Sequence, residues 1–205
     1  MVKNINILYV HGLNSDGNSI TGKTIEKVLK ETFPDIHINV YHPTFSKIGP
    51  EAINTLKQEI RKNNINIVIG TSLGGFVALN AEGPFRIVVN PALHPSKTLI
   101  KLGEPEEVAQ TYADLETKLF RSIDWETKAS TIGWFADNDE VVRNGSEFER
   151  KYGRKREFHG VHRMDEKVIR RIIVDSVREW ITMSEKDMFE NITYISNIGG
   201  DYLKS

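Results

Sequence analysis

The chain has 205 residues, enough for one sizeable domain with its own core and few for two. Lys and Arg number 27 against 28 Asp and Glu, so the chain lacks the basic excess that binding to a phosphate backbone requires, and nucleic acid is not expected as a partner. With no cysteine, disulfides, a thiol nucleophile and Cys-based zinc sites are excluded, and no stretch approaches the ~20 apolar residues of a membrane span.

Ile5 to Val10 reads as a buried strand, too short and too soon broken by His11-Gly12 to be a signal peptide, so a cytoplasmic location is expected. Turn formers fill His11 to Ser19. From Thr24, Ile25, Val28, Leu29 and Phe33 recur at helical spacing until Pro34. Ile36 to Tyr41 alternates as a second strand, and Pro50 suits the first turn of a helix that Asn63-Asn64 closes. A β-branched run, Ile65 to Ile69, predicts a third strand ending at Gly70, with a helix following from Ser72 to about Glu82. Arg86 to Asn90 is a fourth strand stopped by Pro91.

Residues 92–128 are too long for a plain connection and predict an inserted helical cap, with Val108, Tyr112, Leu115, Leu119 and Phe120 on one face. That face reads as packing against the core or as the wall of an acyl pocket. Thr131 to Ala136 and Lys155 to His159 are the fifth and sixth strands, with a helix near Val142 to Tyr152 between them. Asp165 can cap a long final helix carrying Val168, Ile169, Ile172, Ile173, Val177, Trp180 and Ile181 inward. Residues 186–205 read as a C-terminal extension of one domain spanning 1–205. Alternating strands and helices predict a mostly parallel sheet with helices on both faces, and ligand sites at the strands' C-terminal ends.

Gly70-Thr71-Ser72-Leu73-Gly74 is a Gly-x-Ser-x-Gly between a strand and a helix, the setting in which a serine is raised clear of a sheet as a nucleophile. A serine hydroxyl needs a base, and the base an orienting carboxylate. The chain offers both in the order serine, acid, histidine: Ser72 after the third strand, Asp139 or alternatively Asp137 after the fifth, and His162 after the sixth. The N–H groups of Leu73 and Leu13 are the expected oxyanion donors, while His11 is expected to brace its loop. Arg143 or Arg163 could steer an anionic substrate. No spacing of His, Asp and Glu resembles a metal site, and no cofactor is expected.

Ile7-Leu8-Tyr9-Val10-His11-Gly12-Leu13-Asn14-Ser15, Gly70-Thr71-Ser72-Leu73-Gly74-Gly75 and Val88-Val89-Asn90-Pro91-Ala92-Leu93 together resemble the small bacterial α/β-hydrolases of the YqiA-like esterase family. The resemblance spans residues 5 to about 180. It implies a three-layer α/β-hydrolase fold with about six strands in the order 2-1-3-4-5-6 and a small helical cap. It implies a triad of Ser72, Asp139 and His162, and hydrolysis of short acyl esters. The charged middle of the cap and the tail after about residue 185 depart from the family. The expected function is therefore a serine hydrolase acting on a small-molecule acyl ester or thioester through an acyl-enzyme. A hydrolase-fold protein that only binds a ligand or partner is the alternative, as is a peptidase or carbon–carbon hydrolase using the same three residues. Oligomeric state is not readable.

Overall fold

A computed structural model describes the backbone of residues 4–201 and the side chains of residues 4–184 and Lys186. The strands are β1 (Asn4–Val10), β2 (His37–Tyr41), β3 (Ile67–Thr71), β4 (Phe85–Val89), β5 (Thr131–Ala136) and β6 (Lys155–Phe158). They form one sheet in the order β2-β1-β3-β4-β5-β6, and every pairing is parallel. This is the α/β-hydrolase arrangement expected from the chain. A parallel sheet must be covered on both faces, and the alternation along each strand divides the core accordingly. Ile5, Ile7 and Tyr9 of β1, with Ile67 and Ile69 of β3, pack in one cluster with α1 (Ile20–Thr32) and α9 (Glu166–Asp201). Leu8, Val10 and Val68 point the other way, into a cluster with α2 (Gly49–Asn63) and α3 (Leu73–Leu79).

Four short helices stand between β4 and β5: α4 (Pro95–Lys101), α5 (Glu106–Gln110), α6 (Ala113–Arg121) and α7 (Trp125–Ala129). Their apolar residues Leu99, Val108, Tyr112 and Leu119 join the same core cluster as α2 and α3. Polar ties hold them as well. The buried Glu116 of α6 accepts from the Ser96 N–H in the first turn of α4 at 2.6 Å, and Thr111 Oγ1 accepts from the Gly49 N–H at the start of α2 at 3.0 Å. After β5 come α8 (Gly145–Tyr152) and β6, and Asp165 caps α9 by accepting from the Val168 N–H at 2.8 Å.

Three boundaries differ from the sequence reading. The helix α1 begins at Ile20 because Ser19 caps it, accepting from the Gly22 N–H. Strand β3 runs two residues later, since the Ile65 N–H closes the end of α2 on Ile60 O, where Asn64 turns the chain at φ 46°. Helix α3 stops at Leu79 rather than near Glu82, because Asn80 and Ala81 bond back only three residues, to Val77 and Ala78. The final helix continues through the expected extension to Asp201, while the side chains after Lys186 and residues 202–205 lie outside the described residues.

Candidate active site

The turn at the end of β3 is held in a strained conformation. Ser72 has φ 55° and ψ −119°, a conformation that side-chain-bearing residues rarely adopt. Its surroundings impose it. The Ser72 N–H donates to Val89 O on β4 at 3.0 Å, and the Ser72 carbonyl accepts from Gly75 N at 2.9 Å and Ala92 N at 3.0 Å. The flanking glycines let neighbouring backbone approach closely. A Cβ on Gly74 would stand 2.2 Å from Val10 O and 2.3 Å from His11 O, and one on Gly70 would stand 2.3 Å from Gly74 O.

The loop after β1 lies against this turn. A Cβ on Gly12 would sit 3.3 Å from Ser72 Cβ and 3.9 Å from Ser72 Oγ. His11 is buried, and both ring nitrogens are engaged: Nε2 accepts from the Phe45 N–H at 2.9 Å, leaving Nδ1–H to donate to Gly12 O at 2.9 Å. It braces the loop and ties it to the segment between β2 and α2.

The loops after β5 and β6 bring acid and base together. Asp139 is 4 % exposed, and its Oδ1 accepts from the N–H groups of Val141 and Val142 at 2.7 and 2.8 Å. Its Oδ2 lies 2.8 Å from His162 Nδ1. Asp137, the other candidate acid, faces elsewhere. It pairs with His159 Nδ1 at 2.8 Å and accepts from the Gly160 N–H at 3.0 Å, and those two contacts hold its carboxyl below the usual carboxylate range. Arg143 donates to the Asp139 carbonyl at 3.4 Å, which makes it part of this loop.

Asn90 supports both loops from the centre of the sheet. It is 1 % exposed and has φ 46°. Its Nδ2 donates to the His162 carbonyl at 3.0 Å, its Oδ1 accepts from the Ala136 N–H at 2.8 Å, and its own N–H donates to Trp134 O at 2.9 Å. The sequence reading quoted Asn90 as part of a family-like segment and gave it no role. Ser72, Asp139 and His162 thus stand at the same ends of β3, β5 and β6. Among the described residues Ser72 Oγ makes no hydrogen bond with the His162 ring.

A cavity of about 240 Å³ opens beside the serine turn. Gly12, Leu13, Leu73 and Gly74 line one side, and Phe45, Ser46 and Lys47 line another. Of the stretch 92–128, expected to supply a pocket wall, Tyr112 alone lines it. The segment from Phe45 to Lys47 was not singled out by sequence, because it is an irregular loop with neither periodicity nor motif. Among the described residues no group of three His, Asp or Glu side chains is placed to hold a metal ion, and no helix is long and apolar enough to cross a membrane.

A family model described as "Uncharacterised protein family (UPF0227)" matches residues 6–160. Among solved structures, Est1E from Butyrivibrio proteoclasticus superposes with a TM-score of 0.67 at 11% identity, covering 89% of this chain and 90% of that one. The ydeN gene product of B. subtilis gives 0.60 at 14% identity, with 88% of this chain and 100% of that chain covered. The peroxisomal alpha-beta-hydrolase Lpx1 of Saccharomyces cerevisiae gives 0.53 at 13% identity, covering 98% and 86%. At these identities the likeness is one of fold.

Proposed function

The chain belongs to the UPF0227 family, the YqiA-like family, and from that premise we propose that it is a serine hydrolase cleaving small acyl esters or thioesters. Ser72 Oγ attacks the acyl carbon while His162 Nε2 takes its proton. The carbon–oxygen or carbon–sulfur bond to the leaving group then breaks, and His162 returns the proton to that group. Water, deprotonated by His162, next attacks the acyl-enzyme and frees the acid. Asp139 keeps the imidazole proton on Nδ1, so that the lone pair on Nε2 is the one presented to the serine. The N–H groups of Leu13 and Leu73 stabilise the oxyanion. No cofactor enters this scheme.

The observation that carries the reading is the Asp139–His162 contact of 2.8 Å. The pair is largely withdrawn from water, and the second oxygen of Asp139 is already satisfied by two backbone N–H groups, which leaves Oδ2 to the histidine. The positive φ of Ser72 supports it, since strained backbone of this kind clusters at functional sites. The contact between serine and histidine closes when substrate binds, as is common in sites whose catalytic hydrogen bonds tighten in the Michaelis complex.

The test is hydrolysis of short p-nitrophenyl esters. Ser72→Ala is expected to lose at least about a thousandfold in kcat/KM, and equal rates in the two proteins would overturn the assignment. The two acids separate in the same assay. Asp139→Asn should lose on the order of 10⁴-fold in kcat, because an amide favours the wrong tautomer, whereas Asp137→Asn should stay within about threefold of wild type. The open Ser72–His162 contact favours a second reading, a ligand-binding protein without turnover. A fluorophosphonate probe discriminates: labelling of Ser72 supports the enzyme, and its absence supports the binding protein.

A further inference from the structure

Arg86 lies near the N-terminal end of β4, at the opposite end of the sheet from the serine turn, with Thr131 at the start of β5 beside it in register. It is 6 % exposed. Its Nε donates to the Ala81 carbonyl at 2.7 Å, and its Nη1 donates to Ser130 Oγ at 2.8 Å and Thr131 Oγ1 at 3.2 Å. Both hydroxyls give their own protons to carbonyls of α7, Ser130 to Glu126 O at 2.7 Å and Thr131 to Thr127 O at 2.6 Å, so they face the guanidinium as acceptors. This edge of Arg86 ties the end of α3 to α7 and β5. Nη2 takes no part in it. Among the described residues Nη2 has no hydrogen-bond partner, and no carboxylate is ion-paired with the guanidinium. An arginine buried this deeply is almost always paired.

Nη2 is also reachable. Arg86 lines a cavity of about 250 Å³. The unpartnered side-chain atoms sealed from solvent among the described residues are the Tyr112 and Tyr152 hydroxyls, so Nη2, equally unpartnered, keeps accessible surface. The cavity's other charged groups are acidic and exposed: Glu82, Asp124 and Glu126. Glu82 is ion-paired with Lys57 at 3.6 Å. Asp124 and Glu126 form no ion pair among the described residues, and the Thr127 N–H holds the Asp124 carboxyl below the usual carboxylate range, which keeps it charged at neutral pH.

The site therefore has two poles, one cation at its floor and two uncompensated carboxylates at its mouth. A lone anion on Arg86 would be repelled by the mouth, and a lone cation at the mouth would leave Arg86 unpaired. A molecule with a carboxylate at its head and two positive charges behind it satisfies both poles. At water's share of liquid volume the cavity holds about eight non-hydrogen atoms, the scale of a free amino acid rather than a peptide. We propose that this cavity binds a free basic amino acid, its carboxylate accepting from Arg86 Nη2 and its ammonium groups turned toward Asp124 and Glu126. The site is separate from Ser72, so it holds whether or not the chain turns over esters.

The experiment is isothermal titration calorimetry of the full chain at low salt with L-ornithine and L-lysine, against cadaverine, which lacks the carboxylate, and acetate, which lacks the cations. At least one of the two amino acids should bind saturably and about tenfold or more tighter than either fragment. Glu126→Gln and Asp124→Asn, the latter keeping an oxygen for the Thr127 N–H, should each weaken it by about threefold or more. Arg86→Gln should bring the affinity to within about threefold of that for cadaverine. If Arg86→Gln does not fold, the cadaverine comparison and the two variants at exposed positions decide the matter. In amide NMR spectra the bound amino acid should shift Gly83 and Thr127 and leave Leu13 and Leu73 unmoved. Absence of saturable binding, cadaverine binding as tightly as the amino acids, unchanged affinity in Glu126→Gln and Asp124→Asn, or shifts at Leu13 and Leu73 instead would each overturn the proposal.

Discussion

Asn90 shows how much of this site depends on one side chain outside the proposed reacting groups. Its amide offers a donor to one loop and an acceptor to another, which neither Ala nor Asp can reproduce. Asn90→Ala leaves the Ala136 N–H without its partner and is expected to cost about 2–3 kcal/mol, read as a fall in Tm of roughly 5–10 °C. Asn90→Asp keeps the acceptor for Ala136 but sets a carboxylate oxygen against the His162 carbonyl. It should fold and lose kcat by about ten- to a hundredfold with KM within about threefold, because the His162 loop moves while the cavity beside the serine turn does not. A parallel rise in KM would mean that Asn90 only supports the fold. The serine was legible from two glycines at fixed spacing. Asp139 was preferred to Asp137 only on its place in the loop, since both follow the same strand. What separates them is a short loop in which Asp139 is captured by the Val141 and Val142 N–H groups and thereby turned toward His162.

At the scale of elements, the serine turn is a contact between the β1 loop, β3 and α3 that only glycine permits. An alanine at position 74 gains about 1 kcal/mol in helix propensity. It also puts a Cβ 2.2 Å from one backbone oxygen and 2.3 Å from another, neither of which can swing aside as a side chain could. The clash wins: Gly74→Ala should destabilise by more than about 3 kcal/mol in urea unfolding. Gly12→Ala is milder, with its nearest contact at 3.3 Å, so it should remain folded while crowding Ser72 and slowing ester turnover. Strand and helix order was readable because short apolar, β-branched or alternating runs give way to apolar residues at helical spacing. The insertion was readable as helical but not as a set of four helices, because its geometry is fixed by long-range polar ties such as Glu116 to Ser96. For the same reason Tyr112 read as packing: helical spacing placed it on the apolar face, and nothing in the spacing reveals that its hydroxyl lacks a partner.

At the scale of the whole molecule, the two core layers enclose three phenols among the described residues. Tyr9, Tyr112 and Tyr152 are all buried, and burial raises the pKa of each above its ordinary value. A folded-state pKa raised above the unfolded one means that the native state holds the proton more tightly. The associated stability is complete below the unfolded value near ~10 and is lost as pH rises from there through the raised folded values. Each phenol should then cost the fold up to about 1.4 kcal/mol per pH unit within that window. Stability measured by denaturant should therefore fall steeply above about pH 10. Tyr152→Phe should move the alkaline unfolding midpoint upward while leaving neutral-pH stability unchanged or higher. An unchanged alkaline midpoint would show that Tyr152 does not drive that transition.

The strained backbone of Ser72 has an evolutionary consequence. A residue with a Cβ at φ 55° and ψ −119° costs the native state about 1–3 kcal/mol, and glycine would relieve that at an entropic cost of about 0.5–1 kcal/mol. Ser72→Gly should then melt about 3 °C higher than wild type, whereas Ser72→Ala, which keeps the Cβ, should not. A lineage that stopped using the reaction would be under no pressure to keep serine there, and drift toward glycine would meet no thermodynamic resistance. Persistence of serine at this position among relatives is therefore a sign of continued use, readable from sequences before any substrate is known.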